Sequence, residues 1–159
     1  MISVHELTRH FGIAVGSDEA ARLIAQIPGC KLQHRPSDGS QYAISKASGI
    51  DLLFCDASDE TRRTSPETRR FRCFFLFAQG VDGHEAFQGE LPLAFLMTEN
   101  RDTLRQKATP AQSWVIGKGS VDLLYPDPDW DRWLCDDFCI TASYRNDGSL
   151  RDFLIAPID

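Results

Sequence analysis

Residues 71–78, Phe-Arg-Cys-Phe-Phe-Leu-Phe-Ala, limit the fold more than any other stretch of this chain. Strands with one wet face alternate apolar and polar residues. This run is apolar on both sides, and aromatic side chains favour extended backbone. It therefore predicts a strand in the middle of a sheet, with neighbours on both edges and cover on both faces.

Shorter strands are expected near 41–45 and 50–55, joined around Ser48-Gly49 after a turn at Pro36-Ser37-Asp38-Gly39. A closing hairpin is expected from 134–144 and 150–156, turned by Arg145-Asn-Asp-Gly-Ser149. In its first arm Phe138, Ile140, Ala142 and Tyr144 share one face. A further strand or hairpin falls at about 112–125, with Lys118-Gly119 near its turn.

Helices are marked by their caps. Residues 17–27 read as a helix with Ser17 as N-cap and Asp18 and Glu19 at the positive end of its dipole. Pro28-Gly29 stops it, and Ala20, Leu23, Ile24 and Ile27 form its apolar face. A shorter helix at about 3–10 starts at Ser3, with Glu6 completing a capping box. Leu91 to Met97 reads as a short apolar strand leading through Thr98 and Asn100 into a helix that stops before Pro110. Charged residues 56–70 and Gly- and Asp-rich residues 79–88 read as loops. Helix-then-strands thus occurs twice, over about 17–78 and 98–156. The expected fold is α+β across residues 1–159: an antiparallel sheet, helices packed on one face, two tandem helix-plus-strands repeats.

The 159 residues carry a net charge of −6 and a pI near 5.2. A nucleic-acid binder needs a basic surface, so that class is set aside, and a basic partner suits the balance better. Hydrophobic content of 42% argues for a folded chain. No apolar run reaches the roughly 18 residues of a membrane span. The first ten residues lack the basic-then-apolar pattern of an export signal, so a cytoplasmic protein is expected. In that setting Cys30, Cys55, Cys73, Cys135 and Cys139 read as free, buried thiols.

No catalytic motif is present: no Gly-x-Ser-x-Gly, no His-Glu-x-x-His, no phosphate loop. Cys30 with His34 three residues beyond Lys31 can be drawn as nucleophile and base, but nothing marks a stabilised thiolate. Cys135 and Cys139 lack metal-ligand spacing, and the four histidines are scattered. Asp127-x-Asp129-x-Asp131 matches the start of an EF-hand loop, yet Arg132 stands where glycine is needed and Phe138 where glutamate is needed. No enzyme activity, cofactor or metal is expected.

The acidic, aromatic stretch 122–138 remains. Asp122, Asp127, Asp129, Asp131, Asp136 and Asp137 face a single base, Arg132, and Trp130, Trp133 and Phe138 are interleaved among them. One reading packs both tryptophans inward, with the aspartates capping turns. The other makes them anchors for a basic partner that the carboxylates attract. The balance puts Trp133 inside and Trp130 at an interface.

Gly49-Ile-Asp-Leu-Leu-Phe54, Phe71 to Phe77, Phe87-Gln-Gly-Glu-Leu-Pro-Leu93, Asn100 to Pro110 and the closing segment Trp133 to Ile155 together resemble a family of small bacterial immunity proteins encoded beside polymorphic toxins. The resemblance covers about residues 40–156. It departs at Lys107-Ala108-Thr109-Pro110, where the family helix ends Leu-Gly-x-Pro. A related repeat occurs in exported β-lactamase-inhibitor-like and outer-membrane-assembly lipoprotein modules. The resemblance implies a non-catalytic protein that binds a cognate contact-dependent or type VI secreted toxin domain, a basic nuclease being one candidate, and blocks it. Asp127, Asp129, Trp130, Asp131, Asp136 and Asp137 are the expected toxin-binding residues, with neither nucleic acid nor membrane as partner. An effector chaperone and a thiol enzyme are the alternatives.

Overall fold

The computed structural model describes residues 1–33, 39–56 and 69–158. His34, most of the expected turn at 36–39 and most of the charged loop at 56–70 lie outside the described residues. Helix α1 (Val4–Thr8) begins at Ser3 with a reciprocal capping box: the Glu6 amide donates to Ser3 Oγ at 3.1 Å and the Ser3 amide to Glu6 Oε2 at 2.8 Å. Helix α2 (Asp18–Gln26) has Ser17 Oγ accepting from the Ala20 amide at 3.1 Å. Helix α3 (Arg101–Lys107) is capped by Asn100, whose Oδ1 accepts from the Thr103 amide at 3.0 Å. Each cap satisfies an amide that the first helical turn leaves without a partner. No helix among the described residues is long and apolar enough to cross a membrane.

Among the described residues nine strands form one antiparallel sheet: β1 (Lys31–Leu32), β2 (Ser40–Ser45), β3 (Ile50–Cys55), β4 (Arg70–Phe77), β5 (Gln112–Val115), β6 (Gly119–Val121), β7 (Trp130–Leu134), β8 (Phe138–Tyr144) and β9 (Leu150–Pro157). Their order across the sheet is β1-β2-β3-β4-β9-β8-β7-β5-β6. The apolar run expected at the centre is there, with β3 on one edge and β9 on the other. Phe74 pairs with Ile155 and Phe77 with Asp152, so the last strands of the two halves of the chain make the seam between them.

Val4 and Leu7 of α1, Ala20 and Leu23 of α2 and Leu104 of α3 belong to one buried cluster with Ile50, Leu52, Phe74, Leu76, Ile140, Phe153 and Ile155 from the sheet. Ser45 and Ser48 both donate to the Pro28 carbonyl, at 2.6 and 3.0 Å, which ties the end of α2 to the β2–β3 turn.

Leu91 to Met97 is not a strand. Pro92–Ala94 is a 3-10 turn, and Leu93 and Ala94 have φ of 60° and 55°. Proline lacks the amide a ladder needs, and left-handed residues cannot continue a strand. The apolar run is instead a strap that fills the core: Leu91, Phe95 and Met97 are buried, while Leu93 and Leu96 are 40% and 56% exposed. Phe95 meets Trp133 edge-on at 4.9 Å and stacks on Phe153 at 5.7 Å. The closing hairpin is also shorter than expected, because Leu134 ends β7 and β8 begins only at Phe138.

Gly49 sets the close approach of the β2–β3 turn to the following loop. Its φ is +67°, and a Cβ there would lie 2.4 Å from the Glu85 carbonyl oxygen and 2.7 Å from the Phe87 nitrogen. Backbone cannot yield as a side chain can. Gly49→Ala is expected to destabilise the fold by about 2–4 kcal/mol, combining left-handed strain with overpacking. A urea unfolding midpoint unchanged from the parent would contradict this.

Candidate interaction surface

Strand β7 divides the acidic, aromatic stretch. Residues three apart on a strand point to opposite faces, so Trp130 and Trp133 must part. Trp133 is buried, and its indole N–H donates to the Ala108 carbonyl at 2.8 Å, at the end of α3. Trp130 is half-buried and lies parallel to Trp114 of β5, with ring centroids 5.5 Å apart. The Arg132 guanidinium sits 4.8 Å from the Trp130 ring.

Asp131 is not at the surface. Its side chain is 0% exposed and its carboxylate accepts from Arg105 Nε at 2.8 Å and Nη2 at 2.9 Å. Ser113 Oγ and, at 2.9 Å, the Tyr144 hydroxyl also donate to it. Burial, followed by the Asp131 charge, pushes the Tyr144 phenol up, so it stays protonated as a donor. Arg105 Nη1 then donates to the Tyr125 carbonyl at 2.8 Å. One ion pair therefore joins α3, β5, β7, β8 and the loop before β7. An aspartate in the middle of a strand is tolerated because its charge is met by a forked partner.

The other expected contact residues separate. Asp127 is 76% exposed and pairs with Arg101 of α3 at 2.8 Å. Asp129 accepts from the Ile116 amide at 2.6 Å and so holds the β5–β6 turn. Asp136 and Asp137 are exposed in the β7–β8 turn, at the other end of the strand. In the β5–β6 turn Ile116 is 78% exposed, and in the β6–β7 connection Leu124 and Leu123 are 88% and 36% exposed, with exposed Asp122 and Asp127 in that same connection. Trp114, Ile116, Leu123 and Leu124 were missed in the sequence, because only the β5–β7 register brings the first of them to Trp130.

A second set of groups lies at β3 and the loop after β4. His84 is buried, stacked on Phe77 with centroids 3.9 Å apart. Its Nε2 is 2.8 Å from Asp51 Oδ1 and its Nδ1 2.9 Å from the Val81 carbonyl, so both ring nitrogens face acceptors. These two contacts pin the loop to the sheet. The two are 33 residues apart, and no local pattern announces them. Burial pushes Cys30 up to about 12, the reverse of what an activated nucleophile needs. Among the described residues, no three His, Cys, Asp or Glu side chains are grouped to hold a metal ion.

Comparison with family models, curated proteins and solved structures finds no match for this chain.

The buried and exposed carboxylates should behave differently. Arg105→Ala leaves Asp131 buried without its partner and is expected to cost about 3–5 kcal/mol. Asp127→Ala removes an exposed pair and should cost less than about 1 kcal/mol. Equal shifts in urea midpoint for the two variants would contradict the assignment.

Burial raises the Asp51 and Asp152 carboxyls above their ordinary 3.8, so the folded chain holds these protons more tightly than the unfolded one. Their contribution favours folding below that value and is lost as pH rises through the raised one. Asp152→Asn should therefore flatten the decline of melting temperature as pH rises above the ordinary 3.8. A steeper decline in the variant than in the parent would show the opposite sign.

Proposed function

We propose that this protein is a non-catalytic immunity protein that binds a basic toxin domain in the cytoplasm of the producing cell and blocks it. The observation that carries the reading is the set of exposed apolar side chains, Ile116, Leu123 and Leu124, on the connections of β5, β6 and β7, strands that also carry the stacked Trp114 and Trp130. Large apolar groups left in water, together with a half-buried aromatic pair, have the composition of an interface centre. Asp122 and Asp127 supply the charged rim that speeds encounter with a basic surface. Trp130 anchors the partner; Asp131 acts behind it by holding the loop and strands in register.

The finer architecture belongs to the same proposal. The element order α2–β1–β2–β3–β4 is echoed by α3–β5–β7–β8–β9, with β6 added at the edge, and the two final strands pair. Two helix-plus-strands repeats related about the β4–β9 seam, with their helices on one face, would leave the Trp130 side of the sheet to the partner.

Co-expression with the toxin-like reading frame beside its gene should rescue growth and yield a stable complex. Leu124→Asp and the double change Asp122→Lys, Asp127→Lys should each weaken that complex by at least about tenfold, equivalent to 1.4 kcal/mol. The charge reversal should also reduce its salt dependence. Rescue and affinity equal to the parent in both variants would refute this surface.

A further inference from the structure

The strap at residues 89–97 carries an observation that the tryptophan surface does not use. Leu93 and Ala94 are consecutive left-handed residues without being glycine. L-residues adopt this conformation at a cost, and such strain persists only where the surroundings impose it. Lys107 holds the turn to the end of α3: its Nζ donates to the Ala94 carbonyl at 2.6 Å while pairing with Glu99 at 2.6 Å. The turn leaves Leu93 40% exposed.

Beside it, a groove of about 330 Å³ runs between α1, the strap and the start of β8, and is lined by Ser3, Val4, His5, Glu90, Leu91, Pro92 and Phe138; Leu93 itself lines the second groove. A second, of about 470 Å³, continues along the strap itself and shares Glu90, Leu91 and Pro92. Neither is lined by a lysine or arginine, and Glu90 is the only carboxylate in both. Asp136 and Asp137, both exposed, immediately precede Phe138. The nearby base, Lys107, is already committed to Ala94 and Glu99. The lining is thus mostly apolar, with Ser3, His5 and Glu90 as its polar groups and two further carboxylates on the residues just before Phe138.

We infer that this groove docks a basic segment of the partner protein, one that seats an apolar side chain against Leu91, Leu93 and Phe138 and sets lysine or arginine beside Glu90, Asp136 and Asp137. Charge complementarity selects this occupant: an acidic segment would meet three carboxylates, and a wholly apolar one would leave them unanswered. The inference rests on the reading of the chain as a protein-binding module and names a second contact, at the opposite end of β7 from Trp130.

Two labelled peptides test it without the toxin: amidated (Lys-Leu)3 and its charge-reversed counterpart (Glu-Leu)3, titrated by fluorescence anisotropy against the intact chain. The basic peptide should bind and the acidic one should not, with affinity falling as salt is added. Glu90→Gln with Asp137→Asn, both at the surface, removes two of the three carboxylates and should weaken binding about tenfold or more. Leu93→Gly should also weaken it about tenfold while unfolding no earlier than the parent, since glycine accepts the left-handed backbone. Loss of affinity together with loss of stability would make Leu93 a structural residue only.

Equal binding of the two peptides, or no effect of either variant, would overturn the proposal. So would a concentration-dependent dimer, seen in sedimentation and abolished by Leu93→Gly, because a second copy would then be the occupant. Peptide binding without toxin rescue would leave the groove standing and remove the immunity reading. Rescue with no peptide binding would do the reverse.

Discussion

The second half of the fold turns on the Arg105–Asp131 pair. A buried carboxylate is costly unless every lone pair finds a donor, and this one finds four, from Arg105 twice, Ser113 and Tyr144. Because those donors come from α3, β5 and β8, meeting the charge also sets how these elements lie. The same guanidinium reaches the Tyr125 carbonyl, and Arg101, one turn earlier on α3, reaches Asp127 and the Pro128 carbonyl. The loop that carries Leu123 and Leu124 is thereby held by two arginines of one short helix. Rigid presentation of exposed apolar groups lowers the ordering cost a partner would otherwise meet.

That node also explains why acidic residues spaced two apart serve different ends. Asp127 lies outside the sheet, Asp129 closes the β5–β6 turn, Asp131 is buried, and Asp136 and Asp137 are exposed in the far turn. Five residues of strand separate the two ends of β7, on the order of 17 Å. A contiguous acidic patch in the sequence becomes two separate surfaces, one aromatic and one grooved.

Local chemistry was legible. Ser3, Ser17 and Asn100 cap helices as their spacing implies, because capping involves neighbours three residues apart. The 71–78 run lies centrally because its apolarity leaves it no wet face. Two features were hidden for opposite reasons. Leu91 to Met97 has the apolar content of a strand, but Pro92 and the pull of Lys107 on Ala94 make it a strap. Residues 130–134 have too much charge to read as a strand, because Arg105, which neutralises Asp131, is 26 residues away. Trp133 is buried as expected, and a strand sends Trp130 to the opposite face whatever its neighbours are. Trp114, His84 and Asp51 depend on long-range register and pairing, which one sequence does not display.

The seam between β4 and β9 has a temporal meaning. Phe77 pairs with Asp152, so 75 residues must be made after β4 before its second edge can close. At a synthesis rate of about 5–20 residues per second, that is roughly 4–15 s. Through that interval the most aromatic strand of the molecule has an open row of amides and carbonyls, the geometry that invites pairing with other chains. The central position that makes β4 the firmest part of the finished sheet makes it the most vulnerable part of the nascent one.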